Sequence, residues 1–330
     1  MPTYKEVIVE LKSKPISARY GDFYDFEGFP LEEEFQKFFT FGQGFLDRDD
    51  LGYDIKPARL YFNTDTRING LAYKSKTDYF LIELFKGAFY QLYDYYTSRE
   101  DVFHQPQFKK YKDLMDKKDL SCSYILFQFV MLYIFYHEVG HLIQRTGDDP
   151  DYLEFITGPV LGNSSKERHM REHDADWFAA SQMAFHVIES VKTGTPESPV
   201  IDPDELATAT ELALAGIYTY YIRQAEGSPE LYFSEKSHPH PAVRICYLII
   251  YLLDTLPANV SAQINQKVIL TNAIRLAEAL LIEPGKNIVE EFSVGIMKRI
   301  DEIETYISKI RHESESYPHL ALKKIKNVSS

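Results

Sequence analysis

The sequence predicts an α+β protein, mostly helical, with a small mixed sheet near its N-terminus. Three observations lead there. Short runs rich in aromatic and branched residues, "EVIVEL", "ARLYF" and "DYFLIEL", are confined to the first third of the chain. Everything after residue 120 reads as long segments with helical apolar spacing. No internal repeat or low-complexity tract is visible, and 330 residues at 45% hydrophobic and 26% charged suffice to bury a large core.

Taken in order, 6–11 reads as a first short strand. Residues 20–50 are rich in Phe, Gly and Asp and show no clean period. Strands follow at 58–62 and 78–84, with "NTDTRING" (63–70) supplying turn chemistry between them. Gly87 to about Tyr96 reads as a helix with an aromatic face, and 109–119 as a polar, Lys-rich connector. One long helix spans Ser121 to about Arg145, opened by Ser-Cys-Ser and stopped at Gly147 and Pro150. A loop of about twenty residues comes next, and loops that long usually cover something. Further helices are expected over about 166–192, 203–226, 241–255, 261–282 and 286–313. This organisation gives an N-terminal extension of unassigned role (1–57), a core (58–256) and a C-terminal helical segment (257–330).

A formal net charge of −13 argues against a generic nucleic-acid binder, because counterion release needs clustered Lys and Arg and no such cluster dominates. Cys122 and Cys246 sit among apolar neighbours and read as small core residues of a reducing compartment. The N-terminal "MPTYKEVIVELKSKP" has no apolar signal region. The run "YILFQFVMLYIFY" (124–136) is short for a bilayer and leads straight into His137 and Glu138, so it reads as a core helix rather than a membrane span. The expectation is a soluble, cytoplasmic protein.

The stretch "FYHEVGHLIQ" (135–144) carries the chemistry. Residues four apart on a helix project from nearly one side, so His137 and His141 can aim one ring nitrogen each at a shared point. Zn²⁺ suits that pair, and Glu138 sits where a base must stand to take a proton from water. Alone, the motif also fits two histidines on an ordinary helix. The segment "REHDADWFAA" (171–180) adds the missing parts. Glu172 can be a third metal ligand, and Asp176, one turn on, can orient a ligand histidine through its second ring N–H. Trp177, Phe178, Met183 and Val187 show that this helix packs into the core, against a reading of its acids as solvated surface charge.

These residues resemble the gluzincin metallopeptidases, in particular the family of HtpX and the CAAX prenyl endopeptidases: His137-Glu138-Val139-Gly140-His141 followed by Glu172-His173-Asp174-Ala175-Asp176. "SHPHPAVRI" (237–245) is similar to that family's late segment, with His238, Pro239 and Arg244 at matching spacing. "NGLAYKSKTDYFLIELFKG" (69–87) resembles the strand stretch that lies alongside substrate, which makes Asn69 and Ala72 edge-strand residues. The chain has Asn69-Gly70 where the family has Asn-Ala, and no convincing membrane helices. Soluble relatives such as the Lit-type phage-exclusion peptidases are similar in outline. The resemblance covers about residues 60–250 and implies a zincin-like core, one Zn²⁺ per chain and a protein or peptide substrate.

The mechanism it implies is hydrolysis of a peptide bond by water activated at zinc held by His137, His141 and Glu172. Glu138 takes the proton and returns it to the leaving amine. His238 is the candidate to stabilise the oxyanion. Arg244 either assists there or ties its helix to Asp176 or another acid, the second role being preferred. His169 and His173 share ordinary helical spacing, and neither is assigned a metal; His186 reads as packed. His104, His240, His312 and His319 carry no role. Against the endopeptidase stand a catalytically silent zincin-like scaffold, which the intact Glu138 argues against, and a metal-free helical protein.

Overall fold

The protein, seen in a computed structural model, is described over residues 1–14, 16, 22–146, 163–195, 198–225, 231–233, 238–256, 264–282, 298–317 and 320–321. The predicted covering loop after residue 146, Ser237, His319 and most of the expected start of the last helix lie outside those residues. The architecture is α+β and mostly helical, with a three-stranded mixed sheet. It divides into two compact units that cut across the expected boundaries at 57 and 256: residues 1–94, 134–159 and 317–330 in one, 95–133 and 160–316 in the other.

The first unit opens with a correction. The predicted strand at 6–11 is part of a helix, α1 (Tyr4–Ser13). Thr3 and Glu6 cap it reciprocally: Glu6 N–H donates to Thr3 Oγ1 and Thr3 N–H to Glu6 Oε2. Tyr4, Val7 and Leu11 are buried at helical spacing while Val9 is 69% exposed, so the apparent alternation was half a helix face. Helix α2 (Glu32–Leu46) occupies the stretch with no clean period, with three glutamates in its first turn and Phe35 and Phe39 buried. Strands β1 (Ala58–Asn63), β2 (Gly70–Lys74) and β3 (Phe80–Phe85) follow. Their order is β1-β3-β2, with β1 parallel and β2 antiparallel to β3, so β2 forms one edge.

One sheet face is aromatic and apolar. Phe62 stands 5.0 Å from the Phe35 ring and 5.2 Å from Phe89 of α3 (Lys86–Thr97), and Phe35 stacks on Phe89 at 4.2 Å. The opposite face carries a buried polar network: Tyr61 Oη donates to Glu83 Oε2 at 2.7 Å, and Asn63 Nδ2 to Glu83 Oε1. The turn into α3 needs Gly87, where a Cβ would lie 1.9 Å from Thr66 O. The N-terminal region is built into this unit rather than appended to it. Tyr4 Oη donates to Tyr24 O at 2.7 Å and accepts from Phe62 N–H at 3.2 Å.

The second unit is helical. The predicted connector at 109–119 is instead α4 (Lys109–Asp116), with Lys109–Asp113 and Lys112–Asp116 pairs one turn apart and Tyr111, Leu114 and Met115 buried. Helix α5 (Cys122–Gln144) is one continuous element, its residues to Tyr133 in this unit and those from Ile134 in the other. It is long and apolar enough to cross a membrane by length and composition, yet most of its apolar stretch is buried in the protein. Its start is capped by Glu100, which accepts from Ser123 N–H at 3.0 Å and Ser121 Oγ at 2.7 Å. Helices α6 (Asn163–Val191), α7 (Pro203–Ala225), α8 (Pro241–Thr255), α9 (Gln266–Leu281) and α10 (Ile300–Ser314) follow. A small hairpin, β4 (Thr193–Thr195) with β5 (Ser198–Val200), joins α6 to α7.

Candidate metal centre

The end of α5 presents both motif histidines on one side. Their Nε2 atoms are 3.1 Å apart and the rings are nearly perpendicular, at 85°. Two imidazoles bound tetrahedrally to Zn²⁺ at its usual distance place their nitrogens about 3.3 Å apart, so the pair matches that geometry. His141 Nδ1 lies 3.0 Å from Gln144 Oε1, one turn along the same helix. With the amide oxygen as acceptor, the proton resides on Nδ1 and the Nε2 lone pair faces His137.

His137, His141 and Glu172 form a cluster that can hold a metal ion: one ligand atom from each lies within 4.8 Å of the others. His141, Glu138 and Glu172 are buried. A His₂Glu donor set leaves one corner of a tetrahedron for a non-protein ligand, the pattern of catalytic rather than structural zinc.

Glu138 shares the turn with the histidines and packs against the sheet edge. A Cβ at Gly70, the first residue of β2, would lie 3.1 Å from Glu138 Cγ and 2.9 Å from Leu84 Cδ2. The glycine at this point therefore has a packing reason: a methyl group would press on the end of the Leu84 side chain and on the Glu138 stem, which would have to give by a few tenths of an ångström. Asn69, immediately before β2, accepts at its carbonyl from Phe85 N–H at 3.1 Å, and Ala72, within β2, pairs with Ile82.

Glu172 is flanked by the two late-segment residues. His238 Nε2 is 3.4 Å from Glu172 Oε1, with the histidine side chain 60% exposed, and Arg244 Nη2 is 3.5 Å from Oε2. Arg244 makes its shorter bonds to Asp176, from Nε to Oδ2 at 2.7 Å and from Nη2 to Oδ1 at 2.6 Å. Asp176 is wholly buried and accepts also from Tyr133, from Tyr247 at 2.6 Å and from Tyr221 at 3.4 Å. The sequence pairs Asp176 with a ligand histidine; the bonds described here tie it to Arg244 and these tyrosines. Burial works against the Arg244 cation, but the Asp176 charge outweighs it and holds its pKa well above the usual value.

His173 stands apart from the cluster, its Nε2 2.7 Å from Tyr251 Oη, and burial lowers its pKa to about 4. His169 Nδ1 bonds Tyr306, and His240 caps α8 by accepting from Ala242 N–H at 3.1 Å. Sequence reasoning missed Gln144 and the three tyrosines around Asp176. Gln144 had a signal in its helical spacing from His141, whereas the tyrosines lie 43 to 71 positions from Asp176 along the chain. Comparison of the chain with protein-family models, curated proteins and solved structures finds no match.

Proposed function

We propose that this chain is a zinc-dependent endopeptidase with a zincin-like core of the gluzincin type, acting in the cytoplasm on intracellular protein substrate. The observation that carries the reading is the convergence of His137, His141 and Glu172 within 4.8 Å, next to a buried Glu138 on the same helical turn as the histidines. A divalent zinc ion in that donor set supplies a Lewis acid that brings the pKa of water to about 7 and polarises a carbonyl.

The chain's own residues do the rest. Gln144 fixes the His141 tautomer so that Nε2 can act as a ligand. Glu138 takes a proton from the attacking water and delivers it to the departing amine. Edge strand β2 offers its outer backbone groups to an extended peptide, and its first residue lies against the Glu138 stem. His238, 3.4 Å from Glu172 Oε1 and the most exposed member of the group, is the residue we assign to donate to the oxyanion that develops at the scissile carbonyl.

The test compares proteins cleaved in a cell lysate by wild type and by Glu138→Gln, with zinc measured on both. Both proteins are expected to hold about one zinc, and the variant to lose turnover by about 10²–10⁴-fold. Identical fragment patterns from the two would remove peptidase action.

A further inference from the structure

The Asp176 surroundings hold more polar chemistry than a helix-to-helix ion pair requires. Two carboxylates one helical turn apart, Glu172 and Asp176, face the same Arg244 guanidinium. Asp176 is wholly buried, and an isolated carboxylate there would draw the cation entirely to itself. Three phenols relieve that demand. Tyr133 donates to Oδ1 and Tyr247 to Oδ2 at 2.6 Å, while the single Tyr221 hydroxyl proton is shared between Tyr133 Oη and Oδ1, the latter 3.4 Å away. Tyr133 and Tyr221 also bond each other, and the Tyr221 ring lies under the guanidinium, 4.7 Å from Cζ. All three tyrosines are buried.

We infer that Tyr133, Tyr221 and Tyr247 are positioning residues: they satisfy Asp176 so that Arg244 is shared with Glu172, which fixes the rotation of the Glu172 carboxylate as a metal ligand. The inference rests on the metal reading of Glu172. Its parts come from α5, α6, α7 and α8, all within the second compact unit. Burial and then the Asp176 charge hold the Tyr133 and Tyr247 hydroxyls well above the ordinary tyrosine pKa, so they remain proton donors throughout the working range. Removing a phenol leaves Asp176 to draw the guanidinium it already binds closer, and so away from Glu172, 3.5 Å from Nη2.

Zinc affinity of the full chain, measured against a chromophoric chelator, tests this, alongside thermal melts of the same proteins without metal. The variants are Tyr247→Phe and, as a second change, Tyr221→Phe, which removes the 3.4 Å bond to Asp176 and the bond to Tyr133 but keeps the ring under Arg244. Tyr111→Phe serves as control, because Tyr111 Oη donates to another buried carboxylate, Glu211, at 2.8 Å. Tyr247→Phe is expected to weaken zinc binding by about 10–100-fold, Tyr221→Phe by less, and Tyr111→Phe not at all despite a comparable fall in melting temperature. Wild-type affinity retained in both Tyr247→Phe and Tyr221→Phe, with only melting temperature lowered, would make the tyrosines merely structural and overturn the inference. A wild type that binds no zinc would instead overturn the metal reading, and this inference with it. Should Tyr247→Phe fail to fold, the graded loss in Tyr221→Phe decides.

Discussion

His141 has two nitrogens, and the position of one proton decides which can bind a metal. With Gln144 Oε1, 3.0 Å away, as acceptor, the proton lies on Nδ1 and Nε2 is left for a metal. Glu138 has a comparable constraint on its stem: Gly70 leaves it room that any other residue would fill. Gly70→Ala forces either the Leu84 side chain or the Glu138 stem to move by several tenths of an ångström. We expect zinc content to hold, stability to fall by about 1–3 kcal/mol and turnover to drop by about 10–100-fold. Metal analysis, a thermal melt and a rate assay on one preparation check all three, and an unchanged rate would detach the β2 edge from catalysis. Much of the site is legible at this scale. The spacing of His137, Glu138 and His141 on one turn, and of Glu172 and Asp176 on another, follows from helix geometry alone. The phenols around Asp176 are not legible, because their meeting depends on how four separate helices pack.

Single elements show where periodicity misleads. Helix α1 alternates Val7 and Val9 like a strand, yet the capping pair Thr3 and Glu6 outweighs that pattern. The Lys-rich segment of α4 looks like solvated loop until its turn-spaced Asp partners and its buried Tyr111, Leu114 and Met115 are counted together. Helix α5 was readable from its apolar length and its Ser-Cys-Ser start, whereas the distant cap Glu100 was not. Burial alone would raise the Glu100 pKa, but the bonds from Ser123 and Ser121 prevail and hold it below the ordinary 4.5. A carboxyl lowered on folding stabilises above its unfolded value, and that contribution disappears as pH falls below 4.5 through the folded value. Glu100→Gln is therefore expected to cost about 1 kcal/mol near neutrality, with the gap from wild type closing in acid. Denaturant midpoints of both proteins across that range test it, and a gap independent of pH would contradict the assignment.

The whole molecule is organised discontinuously. Chain from three separate stretches builds the first unit and from two builds the second, so no composition shift along the sequence marks the boundary. That is why divisions at 57 and 256 look natural in the sequence and are not followed in the fold. Helix α5 belongs to both units, and its last turns carry the two histidines and Glu138. Its apolar length is that of a membrane segment, and most of that stretch is buried inside the protein.

Anomalous diffraction at the zinc absorption edge, from crystals of the full chain grown with zinc, tests the central claim most directly. The account predicts one strong peak about 2.0–2.2 Å from His137 Nε2, His141 Nε2 and a Glu172 carboxylate oxygen. A map with no peak there, or a peak contacting the histidines while the Glu172 carboxylate points elsewhere, would contradict it.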